Sequence, residues 1–229
     1  KKIFTKRNSL FVVIHTVSEK QAMENIRIAV GSGADGAFLI NHEIKFLDLL
    51  KIYEQSREQY QIFWIGVNLL DLSPAVALDI MLGDISGLWA DDAGFDEARG
   101  SDSIAYQAQL NWAKRQKNDW KGLYFGGIAF KYRKKVERLD LVAQLAIKYT
   151  DVIVTSGNST GEPPDLAKIE TIRDNIGDFP LAIASGITPE NVSQYKAYAD
   201  AFLVATGISD SFTQLNSRKT ERLVKEINR

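Results

Sequence analysis

Eight short apolar runs, spaced along the whole chain and separated by stretches of helical periodicity, restrict the possible folds more than any other feature. The runs fall at residues 11–14, 35–40, 63–70, 86–90, 123–130, 151–154, 181–184 and 200–204. Each is continuous rather than alternating, as expected of parallel strands buried on both faces. Four share a phrase in which Asp35, Ser86, Asp151 or Asp200 precedes the apolar residues, so the chain carries a weak internal repeat. Helical spacing fills the intervals at 19–30, 44–59, 74–82, 102–117, 139–149, 166–176, 189–198 and 217–227. Ser73-Pro74 and Thr188-Pro189 each place a capping hydroxyl before a proline at the first helical position. Pro164-Asp165 opens another helix, and Gly33 and Gly177 read as C-terminal stops. Strand–helix alternation eight times over predicts an α/β protein, a single-domain (β/α)8 TIM barrel over residues 1–229. An open doubly wound sheet is the competing architecture, and equal spacing with eight units argues against it.

The last three runs each end in a small-residue or glycine turn. These are Thr155-Ser156-Gly157, Ser185-Gly186-Ile187-Thr188 and Ala205-Thr206-Gly207-Ile208-Ser209. Glycine lets backbone N–H groups approach a ligand, and a following helix adds partial positive charge. In a barrel the last two strand–helix loops commonly hold a phosphate. The expected ligand is therefore a small phosphorylated molecule, with Gly186, Ile187, Gly207 and Ile208 supplying amides beside Ser185 and Thr206. The loop at 155–164 is rich in hydroxyls, and Thr155, Ser156, Asn158 and Thr160 are expected to line a lid over the anion. An ordinary polar connection is the plainer reading of the same loop.

Other chemistry-bearing residues stand at strand ends, where barrel sites form. His15 follows the first strand and reads either as an acid–base group or as a packed histidine. His42 and Glu43 precede a helix, and Glu43 reads most simply as a partner of that helix's dipole. Asn68 ends the third strand. Asp91-Asp92 follow the fourth and offer a carboxylate, although loop chemistry explains the same letters. Lys131 opens a basic run after the fifth strand, placed to form a Schiff base or to hold a phosphate. The catalytic candidates are Lys131, His15 and Asp91. The four tryptophans read as packing residues.

Composition narrows the function classes. Of 229 residues, 45% are hydrophobic and 25% charged, the ordinary globular range. The net charge of −1 gives no reason to expect nucleic acid or an anionic membrane as partner. The absence of cysteine removes disulfides, thiolate metal sites and cysteine nucleophiles, and fits a reducing cytoplasm. No His/Asp/Glu spacing defines a metal site, and no metal or cofactor is expected. No run reaches transmembrane length. The amino end, from Lys1-Lys2 through Arg7 to the first apolar run, has a signal-like order, but the run is too short and His15 ends it. With no initiator Met at its start, a removed targeting segment stays open. A homodimer is expected, since barrels of this size often pair.

Two further segments carry a family resemblance. Val154-Thr155-Ser156-Gly157-Asn158-Ser159-Thr160-Gly161-Glu162-Pro163-Pro164 and Ser185-Gly186-Ile187-Thr188-Pro189-Glu190-Asn191-Val192 resemble signatures of the BtpA/SgcQ family. Gly66-Val67-Asn68-Leu69-Leu70, the helix at 75–82, His15 and Lys131 are similar as well, so the resemblance spans nearly the whole chain. It implies a ribulose-phosphate-type barrel. Three departures mark a divergent member. Thr16-Val17-Ser18-Glu19 replace a Pro-Leu-Pro-Gly turn after His15, Gly127 stands where the family has an Asp, and the turn ending in Ser209 lacks a following lysine. Two function classes follow. One is an enzyme or binding protein for a phosphorylated metabolite, performing isomerisation or aldol-type cleavage of a sugar phosphate if it is catalytic. The other, motivated by the lost Asp and Lys, is a catalytically reduced barrel acting as an assembly or regulatory factor. The family's namesake affects photosystem I accumulation, so that role would be biogenesis-like.

Overall fold

A computed structural model describes residues 4, 6–80, 85–100 and 102–229. Lys1 and Lys2 of the signal-like amino end lie outside the described residues, as do Met81 and Leu82 at the end of the third expected helix. Eight parallel strands close into a barrel in sequence order: β1 (Ser9–Thr16), β2 (Gly36–Asn41), β3 (Trp64–Asn68), β4 (Gly87–Ala90), β5 (Leu123–Gly127), β6 (Val152–Ser156), β7 (Leu181–Ala184) and β8 (Ala201–Val204). Closure comes from β1 pairing with β8, with Ser9 opposite Ala201 and Val12 opposite Val204. The α-helices among the described residues are α1 (Glu19–Gly31), α2 (Phe46–Gln59), α3 (Pro74–Ile80), α4 (Tyr106–Lys117), α5 (Leu139–Ala146), α6 (Leu166–Ile176) and α7 (Ser217–Asn228). The barrel expected from the sequence is thus the observed fold.

Strand residues two apart separate into two cores. Phe11, Val13, Phe38, Ile40, Trp89, Phe125, Val152, Val154, Ala182, Ala184, Ala201 and Leu203 fill the barrel interior. Their neighbours, such as Val12, Leu39, Ile153 and Phe202, join the larger core beneath the helices. Aromatic rings dominate the lower interior: Phe11 and Trp64 lie 4.9 Å apart edge-on, Phe38 and Phe125 5.0 Å. Glycines make room for them. A Cβ at Gly66 would sit 2.6 Å from Phe38 Cε1, and one at Gly87 2.5 Å from Trp64 Cζ2. Large beside small on adjacent strands is how a barrel interior reaches close packing.

The internal repeat has a structural cause. Asp35, Asp151 and Asp200 each stand just before a strand and bridge to a residue of the neighbouring strand. Their N–H groups donate to the carbonyls of Leu10, Tyr124 and Leu181. Their carboxylates accept the N–H groups of the same three residues at 2.8, 2.7 and 2.9 Å. Each carboxylate also meets a cation: Lys6 at 3.1 Å, Arg115 at 2.6 Å and Arg173 at 2.7 Å. Side chains thereby continue the sheet's hydrogen bonding at the strand entrances and fix register there. Ser86, the fourth copy, lacks a carboxylate; its carbonyl accepts from Leu123 and its N–H donates to the Tyr53 hydroxyl.

The expected helix at 189–198 is corrected. Only Val192–Gln194 turn helically there, as a 3-10 turn, and the rest is a series of tight bends. Asn191 is responsible: its Oδ1 accepts the Thr188 N–H at 2.8 Å and its Nδ2 donates to Gly186 O at 2.7 Å. That local bonding competes with a helix ladder, as short polar amides do. Smaller differences are the later start of α4, at Tyr106 rather than 102, and the earlier end of α5, at Ala146 rather than 149. Strand β5 ends at Gly127 rather than 130, because Ala129 turns into the left-handed region with φ +46°.

Candidate active site at the C-terminal rim

The two-residue period of the interior decides which polar groups reach the rim. Counting inward positions upward from Phe11 and Val13 gives His15; from Trp64 and Gly66, Asn68; from Gly87 and Trp89, Asp91. These three side chains therefore cap the interior from β1, β3 and β4. Lys131 arrives from the β5 loop, and all four line one cavity of about 160 Å3. Its floor is apolar, formed by Val13, Ile40, Trp89, Ala184 and Leu203. Thr160, Ser185, Gly186, Ile187, Thr206 and Gly207 complete its wall on the side of the closing strands.

The three glycine turns meet as one arc. A Cβ on Gly186 would fall on the backbone of Glu162 and Pro163 in the β6 loop, and one on Gly207 would fall on Ile187 O in the β7 turn. Backbone-to-backbone packing thus accounts for both glycines and joins the turns edge to edge. The N–H groups of Gly186 and Ile187 find no acceptor among the described residues, whereas that of Ile208 donates to Ala205 O at 3.0 Å. No α-helix starts from either turn. The only helical turns there are the three-residue Val192–Gln194 and Thr206–Ile208, so the expected helix dipole is missing.

Four expected lid or phosphate residues do not line the cavity. Thr155 shares the outward face of Ile153 and is fully buried. Ser156 is buried too, its Oγ accepting the Lys131 N–H at 2.8 Å and donating to Gly157 O at 2.9 Å. Asn158 is exposed and donates to Glu162 at 3.4 Å. Ile208 is buried. Ser156 nonetheless acts on the site by fixing the backbone of Lys131.

Some lining residues lie outside the set of site residues expected from the sequence. Phe212, in the loop before α7, stacks on His15 with centroids 4.0 Å apart and planes 13° off parallel. His42 lies 4.7 Å from His15. Glu43 does not cap the following helix, which starts at Phe46 and takes its first N–H partner from Asp71. Tyr132 reaches across from the β5 loop and accepts the Thr160 N–H at 3.0 Å, joining the β5 and β6 loops. Trp89 leaves a buried indole Nε1 without an acceptor, as does the Nδ1 of His15.

Electrostatics draw these groups away from their usual behaviour. Burial pulls His15 down to about 4, helped by His42 and Lys131, so its imidazole is neutral at pH 7. Burial, then Lys131, lowers His42. Burial raises Asp91 above the usual carboxylate range, against the Asn68 amide that donates to it at 3.1 Å. Burial also lowers Lys131, against the pull of Asp91. Perturbed groups gathered in one cleft mark a functional site. The sign for His15 is definite. The unfolded chain takes up a proton near 6.5 and the folded chain only near 4, so its contribution to stability is full above about 6.5 and is lost as pH falls toward 4. NMR titration of His15 in the ligand-free protein is expected to show no imidazole protonation between pH 8 and 6; a midpoint near 6.5 would contradict this environment.

Backbone strain concentrates here as well. Of the five non-glycine residues with positive φ among those described, Asn8 and Asp119 are types that tolerate it, while Ala129, Tyr132 and Ser185 are not. All three flank or line the cavity. Strain kept at such residues is a frequent mark of functional sites. Lys168 on α6 restrains the strained segment, its ammonium donating to Ala129 O and, at 2.7 Å, to Ser156 O. Burial draws it down to about 8.

Gly127, where the resemblance leads one to expect an Asp, has no room for a side chain. A Cβ there would meet the backbone of Asp91. Asp91, from the end of the neighbouring strand, is the carboxyl group that lines the cavity with Lys131.

Known proteins similar to this chain agree with the architecture. The structure superposes on phosphoribosyl anthranilate isomerase from Thermus thermophilus with a TM-score of 0.65 at 13% identity, covering 96% of this chain and 98% of that one. The native KDPGal structure gives 0.69 at 11% identity, over 98% and 97%. The tryptophan synthase alpha chain of Legionella pneumophila gives 0.65 at 15% identity, over 97% and 92%. Identities this low show the fold alone. Sequence relatives include uncharacterized proteins of Pyrococcus horikoshii, 28% identical over 75 residues, and Thermococcus kodakarensis, 31% identical over 83 residues. Those alignments span 33% and 34% of this chain, and only 29% and 31% of the relatives' own length. Residues 130–229 match the BtpA family, and this stretch carries Lys131 and all three glycine turns. Over that stretch the chain is similar to the BtpA family, and its described residues are built on a (β/α)8 barrel.

Proposed function

We propose that this barrel binds a small phosphorylated metabolite at its C-terminal rim. The observation that carries the reading is the single cavity in which the arc of glycine turns faces Lys131, Asp91 and His15. The phosphate sits against the free N–H groups of Gly186 and Ile187, with Ser185, Thr206, Gly207 and Thr160 as further donors. His15, Asn68, Asp91 and Lys131 touch the rest of the ligand. Two structural neighbours, matched over more than nine-tenths of both chains, are named as an isomerase and as the alpha chain of a synthase, and the isomerase is named for a phosphoribosyl compound. If the protein is an enzyme, isomerisation or aldol-type cleavage of a sugar phosphate fits, with His15 or Asp91 moving the proton. We take it to be a cytoplasmic homodimer that needs no cofactor. The rival, a catalytically reduced assembly factor, is weakened because Asp91 keeps a carboxyl group in the same cavity as Lys131.

Titration calorimetry with a panel of sugar and nucleotide phosphates tests the reading. At least one member is expected to bind saturably, and about tenfold more weakly to Lys131→Ala, the factor set by losing one charge-assisted contact of roughly 1.4 kcal/mol. Failure of the whole panel to bind the unaltered protein would remove the proposal.

A further inference from the structure

We propose that Lys131 is an amine nucleophile, capturing the carbonyl carbon of a short phosphorylated aldehyde or ketone as an imine. The inference rests on the phosphate-binding reading above and assigns the ligand's chemical class.

The geometry favours a nucleophile over a charge clamp. Within the chain Lys131 Nζ donates to one neutral group, Thr160 Oγ1, at 3.3 Å. Among the described residues no carboxylate lies within ion-pair distance of it, unlike Lys6, Lys114 or Lys219, which all have acidic partners. A phosphate clamp works best as a full ammonium, whereas addition to a carbonyl needs the free amine. Asp91 lines the same cavity, where burial favours the protonated form of its carboxyl against the pull of the Asn68 amide. Its raised affinity for a proton and the lowered one of Lys131 both point the same way.

The cavity limits the carbon skeleton. The cavity is small, about 160 Å3, and its floor of Val13, Ile40 and Leu203 offers the hydroxyls of a long polyol no partner at the base. Each unpartnered hydroxyl costs free energy, so a three- or four-carbon carbonyl compound fits better than a hexose.

The step balances without an oxidant or reductant. The Nζ lone pair attacks the carbonyl carbon, and the carbonyl π pair moves to oxygen, which becomes a hydroxyl by taking the proton that nitrogen sheds. Asp91 then protonates that hydroxyl, it leaves as water, and the nitrogen lone pair closes the C=N bond. The product is a protonated imine beside the Asp91 carboxylate.

Trapping tests this. The full chain is incubated with glyceraldehyde 3-phosphate or dihydroxyacetone phosphate and sodium borohydride, and the reduced adduct is mapped by peptide mass spectrometry. A saturable adduct on Lys131 is expected, suppressed by excess glycerol 3-phosphate and absent in Lys131→Arg. Cooperative thermal unfolding of Lys131→Arg, expected to match that of the unaltered protein, reports that the variant is folded. No adduct on Lys131, or modification spread evenly over exposed lysines, overturns the imine. If glycerol 3-phosphate binds by calorimetry but trapping fails, the nucleophile falls and the phosphate reading stands; if neither occurs, both fall.

Discussion

Asp151→Ala is expected to lower the unfolding free energy by about 3 kcal/mol, the usual scale for removing one partner of a mostly buried ion pair. One carboxylate oxygen serves both the Tyr124 N–H and the Arg115 guanidinium, so its loss leaves a strand donor unpartnered and takes the counter-charge from Arg115, which keeps Gly122 O. The side chains of that pair are 10% and 20% exposed. The equivalent pairs are more open, at 18% and 25% for Arg173–Asp200 and 37% and 25% for Lys6–Asp35. Solvent screening therefore orders the three alanine variants, with Asp151 the most costly, Asp200 next and Asp35 least. For a chain of this size 3 kcal/mol corresponds to roughly 6–12 °C in Tm. Asp151→Asn is expected to fall between, keeping an acceptor for Tyr124 while leaving Arg115 uncompensated. Urea unfolding of the series checks the order; equal losses at all three sites would show that the repeat does not act through these bridges.

Gly186→Ala is expected to cost about 2–4 kcal/mol, combining overpacking with left-handed backbone strain. Its φ is +66°, and the new methyl would land on the Glu162–Pro163 backbone. That contact is main chain, so it cannot swing aside. Gly100→Ala separates the two causes, because Gly100 has φ +80° but nothing within 4 Å of a Cβ, so it should show only the strain, about 1 kcal/mol. The larger loss at Gly186 should be accompanied by weaker binding of phosphorylated ligands, since pushing the β6 loop away opens the arc. Equal stability losses at both glycines would mean that the loops do not press on one another as described.

The barrel was legible because each of its eight strands is a buried apolar run and most helices carry their own caps. Three polar residues of the cavity were legible for a related reason: His15, Asn68 and Asp91 stand at strand ends. Parity explains where the reading of the site failed. Thr155 looks like a ligand residue by composition, but it lies one place from the inward-facing Val154 and so must face the helices. Counting in twos from the interior residues would have excluded it. The helix expected at 189–198 failed because Asn191 captures the backbone that Thr188-Pro189 would otherwise launch into a helix. Phe212 and Lys168 left no periodic or motif signal. One stacks from a loop distant in sequence, and the other looks like any basic residue on an exposed helix. The Asp repeat was visible as a pattern, yet its bridging role depends on which strands become neighbours.

Trp89 serves two neighbourhoods at once. Its ring meets Phe38 at 5.6 Å on the interior side and forms part of the cavity floor on the other. Trimming the indole to admit a larger guest would unseat the aromatic stack below it, so selectivity in this barrel is free to drift through its loops far more readily than through its base.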